Sequence, residues 1–222
     1  MRRLIVLDMD GTLYDLSDVM VTVYKTQVSF LCERMGWSEA KAIQFLGDND
    51  IESHVSKKSR SATELFMRLG FGRKEWTEYR QKHFPVEKID PAKAASPILI
   101  RRFAKLGDIV LLTSNTFKVC GSILARIGME ENPFMKTVCS DTTGEEVPFD
   151  KFQEMEKLMA SNSYGALISI GDRYQTDIVP ALKLGGCGCL VSSCNSLGKV
   201  YEDLGFGNLC SCSEYEYFVK EK

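Results

Sequence analysis

The order of apolar and polar positions divides the chain into three stretches. Residues 4–8, Leu-Ile-Val-Leu-Asp, form a short unbroken apolar run ending in an acid, the pattern of a strand buried on both faces. From Ser17 to about Phe84 no such run occurs and the spacing becomes helical. Val19, Val23, Val28, Leu31 and Met35 mark one helix over 17–35, with Gly36 at its expected end. Three further helices are predicted over 38–46, 60–69 and 73–84, with Gly47 and Gly70-Phe71-Gly72 as punctuation. Pro85 and Pro91 bracket a linker. Beyond it helices at about 96–106, 117–127, 149–160 and 176–184 alternate with apolar runs at 109–113, 137–139, 166–170 and 189–191. Such alternation predicts an α/β fold, a Rossmann-like parallel sheet with helices on both faces, formed by residues 1–16 and 90–222. Residues 17–89 are then a small all-helical domain inserted after the first strand. In parallel sheets of this kind ligands lie at the carboxyl ends of the strands.

Composition narrows the chemistry without naming it. With 28 Lys+Arg against 30 Asp+Glu, a net charge of −2 and 44% hydrophobic residues, this is an ordinary globular chain. The mild acidity argues against a nucleic-acid polymer as partner, since the longest basic cluster is Lys57-Lys58-Ser59-Arg60. No run approaches the ~20 apolar residues of a membrane span. Arg2-Arg3 precede an apolar stretch that is short of the roughly 7–15 residues of a signal core, which points to a cytoplasmic protein. Only two histidines, His54 and His83, are present, so a three-histidine metal site is excluded and carboxylate chemistry is favoured. Of eight cysteines, Cys187, Cys189, Cys194, Cys210 and Cys212 crowd the last 36 residues. Their C-x-C spacing is tighter than that of structural zinc sites, so reduced thiols are expected.

The strand ends carry the candidate chemistry. The first reads Asp8-Met9-Asp10-Gly11-Thr12-Leu13-Tyr14. Acids at i and i+2 of a strand end point the same way, a costly proximity unless a cation or proton relieves it. The Gly-Thr that follows suits a tight turn whose backbone N–H groups can surround an anion. The run at 109–113 ends in Ser114-Asn115 at a helix entrance, where phosphate binds but where an ordinary cap has the same sequence. The run at 166–170 ends in Gly171-Asp172-Arg173-Tyr174-Gln175-Thr176-Asp177. Three strand ends on one edge therefore present a hard, oxygen-rich donor set of the kind that suits Mg²⁺.

D-x-D-G-T-L at 8–13, a strand ending in Ser114-Asn115, and G-D-x-x-x-x-D at 171–177 resemble three motifs of the haloacid dehalogenase-like (HAD) hydrolase superfamily, in the family's order. The helical segment resembles the cap that some members insert after the first motif. The resemblance implies a phosphatase of the phosphoric monoester hydrolase type. In it Asp8 is the nucleophile that forms an aspartyl-phosphate and Asp10 is the general acid and base. Mg²⁺ is held by Asp8, the Asp10 carbonyl and Asp172, with Asp177 as ligand or support. The phosphoryl oxygens are held by Ser114, Asn115 and the Met9–Gly11 turn.

The family's third motif supplies a lysine, often directly before a proline. Here Val147 precedes Pro148, so Lys151 is the first candidate and Lys136 the second. Asp10 favours the phosphatase and phosphomutase branches over dehalogenation, and Leu13-Tyr14 is similar to members acting on pyrimidine nucleotides. The expected substrate is a small phosphomonoester, of nucleotide, sugar-phosphate or phosphoglycolate type. Lys25, Lys57, Lys58 and Arg60 are candidate cap contacts, though charged helix residues are usually solvated. His54 and His83 are expected to be structural or exposed. A phosphomutase, or a non-catalytic binding or regulatory module of the same fold, are the competing expectations.

Overall fold

The computed structural model describes residues 2–49, 62–141, 149–209 and 213–217. Six parallel strands form one sheet: β1 (Arg3–Leu7), β2 (Asp108–Leu112), β3 (Lys136–Val138), β4 (Ala166–Gly171), β5 (Cys187–Val191) and β6 (Glu214–Tyr217), in the order β3-β2-β1-β4-β5-β6. β1 lies in the middle, with Leu7 level with Leu111 on one side and Ile170 on the other. The residues just past these three strands therefore emerge side by side.

The two-residue period of the strands sorts their side chains between two cores. Leu4 and Val6 of β1 and Val110 and Leu112 of β2 pack on one face against Met155 and Leu158 of α7 (Lys151–Asn162) and Ala181 of α8 (Val179–Lys183). Ile5, Leu7, Ile109 and Leu111 pack on the other against α5 (Pro97–Phe103), α6 (Phe117–Arg126) and α9 (Leu197–Gly205). Both faces are covered, which is why these strands read as continuous apolar runs rather than alternating ones.

Between β1 and the rest of the sheet come α1 (Ser17–Met35), α2 (Glu39–Asp48), α3 (Ala62–Arg68) and α4 (Arg73–His83). Gly36 closes α1 with φ 64°, a left-handed conformation that costs glycine no steric penalty. The four helices bury a cluster of their own. Phe30, fully buried, lies within 5.0–5.2 Å of the rings of Phe66, Phe71, Trp76 and Tyr79. Edge-to-face and tilted contacts of this kind add to plain area burial.

Several boundaries differ from those read in the sequence. Gly47 lies inside α2 rather than ending it, because the helix runs on to Asp48 and is closed by the Asn49 N–H. α9 and β6 were not foreseen. β6 is an edge strand of sequence Glu-Tyr-Glu-Tyr and only partly buried, so it carries no apolar run. Among the described residues no disulfide occurs: Cys187 and Cys189 are buried thiols in β5, 4.0 Å apart, and Cys194 is buried nearby. Cys210 and Cys212 lie outside the described residues. No described helix is long and apolar enough to cross a membrane.

Candidate active site at the strand ends

Asp8 follows β1 directly, and its N–H continues the sheet by donating to the Ile170 carbonyl at 2.9 Å. Its carboxylate thus faces the loops after β2 and β4. Asp172 follows β4, and Asp177 sits in the single π-type turn Tyr174–Ile178 that precedes α8. Such wide turns are common at functional sites. Here the turn folds Asp177 back, so that Oδ2 accepts from the Arg173 N–H at 2.9 Å. Asp8, Asp172 and Asp177 are all buried, each offering an oxygen within 4.8 Å of the others.

Lys151 opens α7, with Asp150 capping the helix N-terminus. That position turns the lysine inward: its side chain is 7% exposed, and Nζ lies 2.6 Å from Asp8 Oδ1 and 2.7 Å from Asp177 Oδ1. Lys136, by contrast, begins β3 with an exposed side chain. The structure therefore brings Lys151, not Lys136, to the acids. Two of the three buried carboxylates, Asp8 and Asp177, share this one ammonium. Burial pushes Asp8 up to about 7, opposed by Lys151 and reinforced by Asp177 and Asp10. Burial likewise holds Asp172 well above the usual carboxylate range, with Asp8 adding to the effect. For Lys151 burial favours the neutral form, but Asp177 and Asp8 outweigh it and the amine is held above its usual value.

The donor set fits a divalent cation. Asp177 has both oxygens engaged, by Lys151, the Thr176 hydroxyl and the Arg173 N–H. Asp172 Oδ1 is buried with no hydrogen-bond partner among the described residues. An orphaned buried carboxylate oxygen is expensive unless something else meets it. Two glycines make the cluster possible. A Cβ at Gly11, whose φ is 74°, would collide with the Asp172 carboxylate, and one at Gly171 would collide with Asp177.

Asp10 lies on the other side of the turn. Its Oδ1 accepts from the Tyr14 hydroxyl at 2.7 Å and from Asn115 Nδ2 at 2.9 Å, and its Oδ2 from Arg80 Nη2 at 3.0 Å. Tyr14 is fully buried, so its presence beneath the helices has a polar purpose as well as a packing one. Met9 is buried, and its carbonyl accepts from Thr12 and Leu13, which closes the turn around Gly11. Ser114 is exposed and faces the cavity beside Lys151. Asn115 is buried behind it. Its backbone N–H donates to Thr113 Oγ1 and its side-chain N–H to Asp10, so both amides serve the architecture of the turn.

A cavity of about 100 Å³ opens above Asp8, Asp10 and Lys151, and its outer wall is made by the helical segment. Leu16, Met20, Val23 and Tyr24 contribute from the start of α1, and Trp76 and Phe84 from α4 and its end. Lys25 is exposed and lies off that face of α1. Lys57, Lys58, Arg60 and His54 fall outside the described residues. His83 is exposed, with Nδ1 2.8 Å from the Tyr79 carbonyl oxygen.

Arg80 is the residue that the sequence reading missed. It stands one turn after Trp76, and this spacing on α4 was the available signal, since the tryptophan marks the inward face. Gln81 was missed too; its Oε1 accepts from the Thr116 hydroxyl at the entrance to α6, and this bond joins α4 to the sheet.

No family model matches the chain, and no curated protein does. Solved structures do. YfnB from Bacillus subtilis, assigned as a HAD-hydrolase and bound to magnesium, superposes with a TM-score of 0.55 at 14% identity over 92% of this chain and 99% of its own. A HAD phosphatase from Thermococcus onnurineus gives 0.52 at 14% identity, over 90% and 97%. A haloacid dehalogenase-like family hydrolase from Xanthomonas campestris gives 0.55 at 14%, over 93% of each chain. Likeness at such low identity, spread over nearly the whole length, is a statement about architecture: the chain has the fold of the HAD-like hydrolases.

Proposed function

We propose that the chain is a Mg²⁺-dependent phosphatase that hydrolyses a small phosphomonoester through an aspartyl-phosphate on Asp8. The observation that carries this is the contact of Lys151 with Asp8 and Asp177 beside the unpartnered oxygen of Asp172. Residues 1–16 and 90–222 act as the catalytic core, and 17–89 as a helical cap. The aromatic cluster around Phe30 supports that division because it gives the cap its own core. The reduced thiols Cys187 and Cys189 of β5 suit a reducing compartment such as the cytoplasm.

In this reading one oxygen of Asp8 attacks phosphorus as the ester oxygen departs. Lys151 holds the other oxygen, restrains the carboxylate from rotating and lowers the cost of bringing two anions together. Asp10 gives its proton to the departing oxygen. In the second displacement it takes a proton from the water that attacks the phosphorus and restores Asp8. For either transfer Asp10 Oδ2 must part from Arg80, which bonds it at 3.0 Å. Tyr14 and Asn115 fix Oδ1 throughout, leaving Oδ2 as the working oxygen. Asp8, Asp172 and the Asp10 carbonyl would hold Mg²⁺, with Asp177 supporting from behind, and the ion would supply charge neutralisation for the phosphoryl group. Ser114 and the turn from Met9 to Gly11 bind phosphoryl oxygens.

The test is phosphate release from phenyl phosphate by purified protein. Turnover should require Mg²⁺ and vanish in Asp8→Asn. Full rate in that variant would overturn the proposal. Isomerisation of a sugar phosphate without phosphate release would make the protein a mutase instead.

A further inference from the structure

The cavity wall opposite the acids has a chemistry of its own. On α1, Met20, Val23, Tyr24 and Gln27 face the cavity at helical spacing, and on α4 and just after it Trp76, Arg80 and Phe84 do so at intervals of four. Most of this wall is apolar, and its polar tips are tied up within the protein. The Trp76 indole N–H donates to Thr63 Oγ1 at 3.1 Å, the Tyr24 hydroxyl to the Ile43 carbonyl at 3.4 Å, and Arg80 to Asp10 at 3.0 Å. Gln27 is the exception. It is 8% exposed, it lines the cavity, and its Oε1 is buried with no hydrogen-bond partner among the described residues.

An apolar wall with one unmet acceptor specifies a ligand. Sugar hydroxyls pressed against Met20, Val23 and Phe84 would lose water and gain no partner, which is unfavourable. A planar ring would keep its faces in apolar contact and could bring a single N–H or O–H to Gln27. Pockets that combine broad apolar walls with a few placed polar groups orient ligands in this way. We propose that this wall receives the leaving group of the substrate, and that the substrate is a phosphomonoester carrying an aromatic or heteroaromatic ring with a hydrogen-bond donor on its edge. The phosphate lies at Asp8 and the ring between α1 and α4, with Gln27 accepting from the ring. The inference rests on the phosphatase reading, and it makes Gln27 a specificity residue of the cap.

Three primary alkyl phosphates of matched leaving-group chemistry test it: 2-(indol-3-yl)ethyl phosphate, 2-(1-naphthyl)ethyl phosphate and glucose 6-phosphate. The indolyl ester should be favoured in kcat/KM by about tenfold over the naphthyl ester and by a hundredfold or more over the sugar phosphate. In Gln27→Met, which keeps the length of the side chain and removes the acceptor, the indolyl-to-naphthyl ratio should fall to within twofold. Equal rates for all three, or a ratio unchanged in Gln27→Met, would overturn the inference while leaving phosphatase activity intact. Absence of turnover on every ester, phenyl phosphate included, would instead remove the phosphatase reading. Calorimetry with the alcohol indole-3-ethanol then decides separately. Binding that is weakened about tenfold in Gln27→Met supports the ring site, and no binding to the wild-type protein refutes it.

Discussion

The two sides of the cavity are built on opposite principles. The sheet side gathers Asp8, Asp172 and Asp177 around a single lysine, almost wholly buried, at the cost of carboxylates that burial pushes upward. The helical side offers Met20, Val23, Tyr24, Trp76 and Phe84, with Arg80 as its charge and Gln27 as its unmet acceptor. One surface concentrates buried charge and tolerates strain in its electrostatics. The other is largely apolar and keeps its polar tips satisfied except at Gln27. Arg80, bonded to Asp10, is where they meet.

Substitutions should separate the two sides by size and kind of effect. Asp8→Asn removes the nucleophile and should reduce phosphate release by roughly ten-thousandfold or more, measured on any accepted ester. Lys151→Met leaves the acids without their ammonium. It should cost about 3–5 kcal/mol of stability in denaturant titration, together with most of the activity. A merely local role on the surface would cost far less. Arg80→Met keeps an apolar side chain but removes the bond that Asp10 Oδ2 must give up before it transfers a proton, so kcat/KM should rise, by up to about tenfold. Little change in denaturant midpoint is expected, because the residue bridges two elements that each have their own core. A large loss of stability there would erase the contrast between the sides.

The dependence of metal-free stability on pH belongs to the sheet side alone. Asp8 titrates at 3.8 in an unfolded chain and at about 7 in the folded one. The folded protein therefore binds more protons across that interval, and stability falls as pH rises from about 4 to about 7. Mg²⁺ meets the ionised cluster, so its stabilising effect should grow over the same range, by a few degrees in melting temperature. A metal effect that is equal at pH 5 and pH 8 would contradict this.

The sheet side was far more legible in the sequence than the helical side, for a physical reason. The apolar run of β1 ends at Leu7 and so places Asp8 at the sheet edge, whereas Asp10 lies in the turn beyond it, where strand alternation no longer holds and its carboxylate parts from that of Asp8. Gly11 and Gly171 marked the two points where chain and carboxylate approach too closely for a Cβ. Lys151 was reachable only as one of two lysines, because its inward turn depends on the Asp150 cap and on the packing of α7. Arg80 had only its spacing from Trp76 to mark it, and Gln27 had no mark at all. Their neighbours lie 70 residues away in one case and in separate helices in the other, and a glutamine on an apolar helix face has no distinguishing pattern. β6 escaped notice because an edge strand of alternating acids and tyrosines lacks the apolar run that marks its buried neighbours.

The central claim is that Asp8 is phosphorylated during turnover. Acid quenching of the Mg²⁺-loaded enzyme during turnover of an ester with a radiolabelled phosphoryl group reads this directly. A label that stays with the protein, is released by hydroxylamine and maps to the peptide containing Asp8 is the expected result. Steady phosphate release with no label on the protein, or a label on another residue, would contradict it.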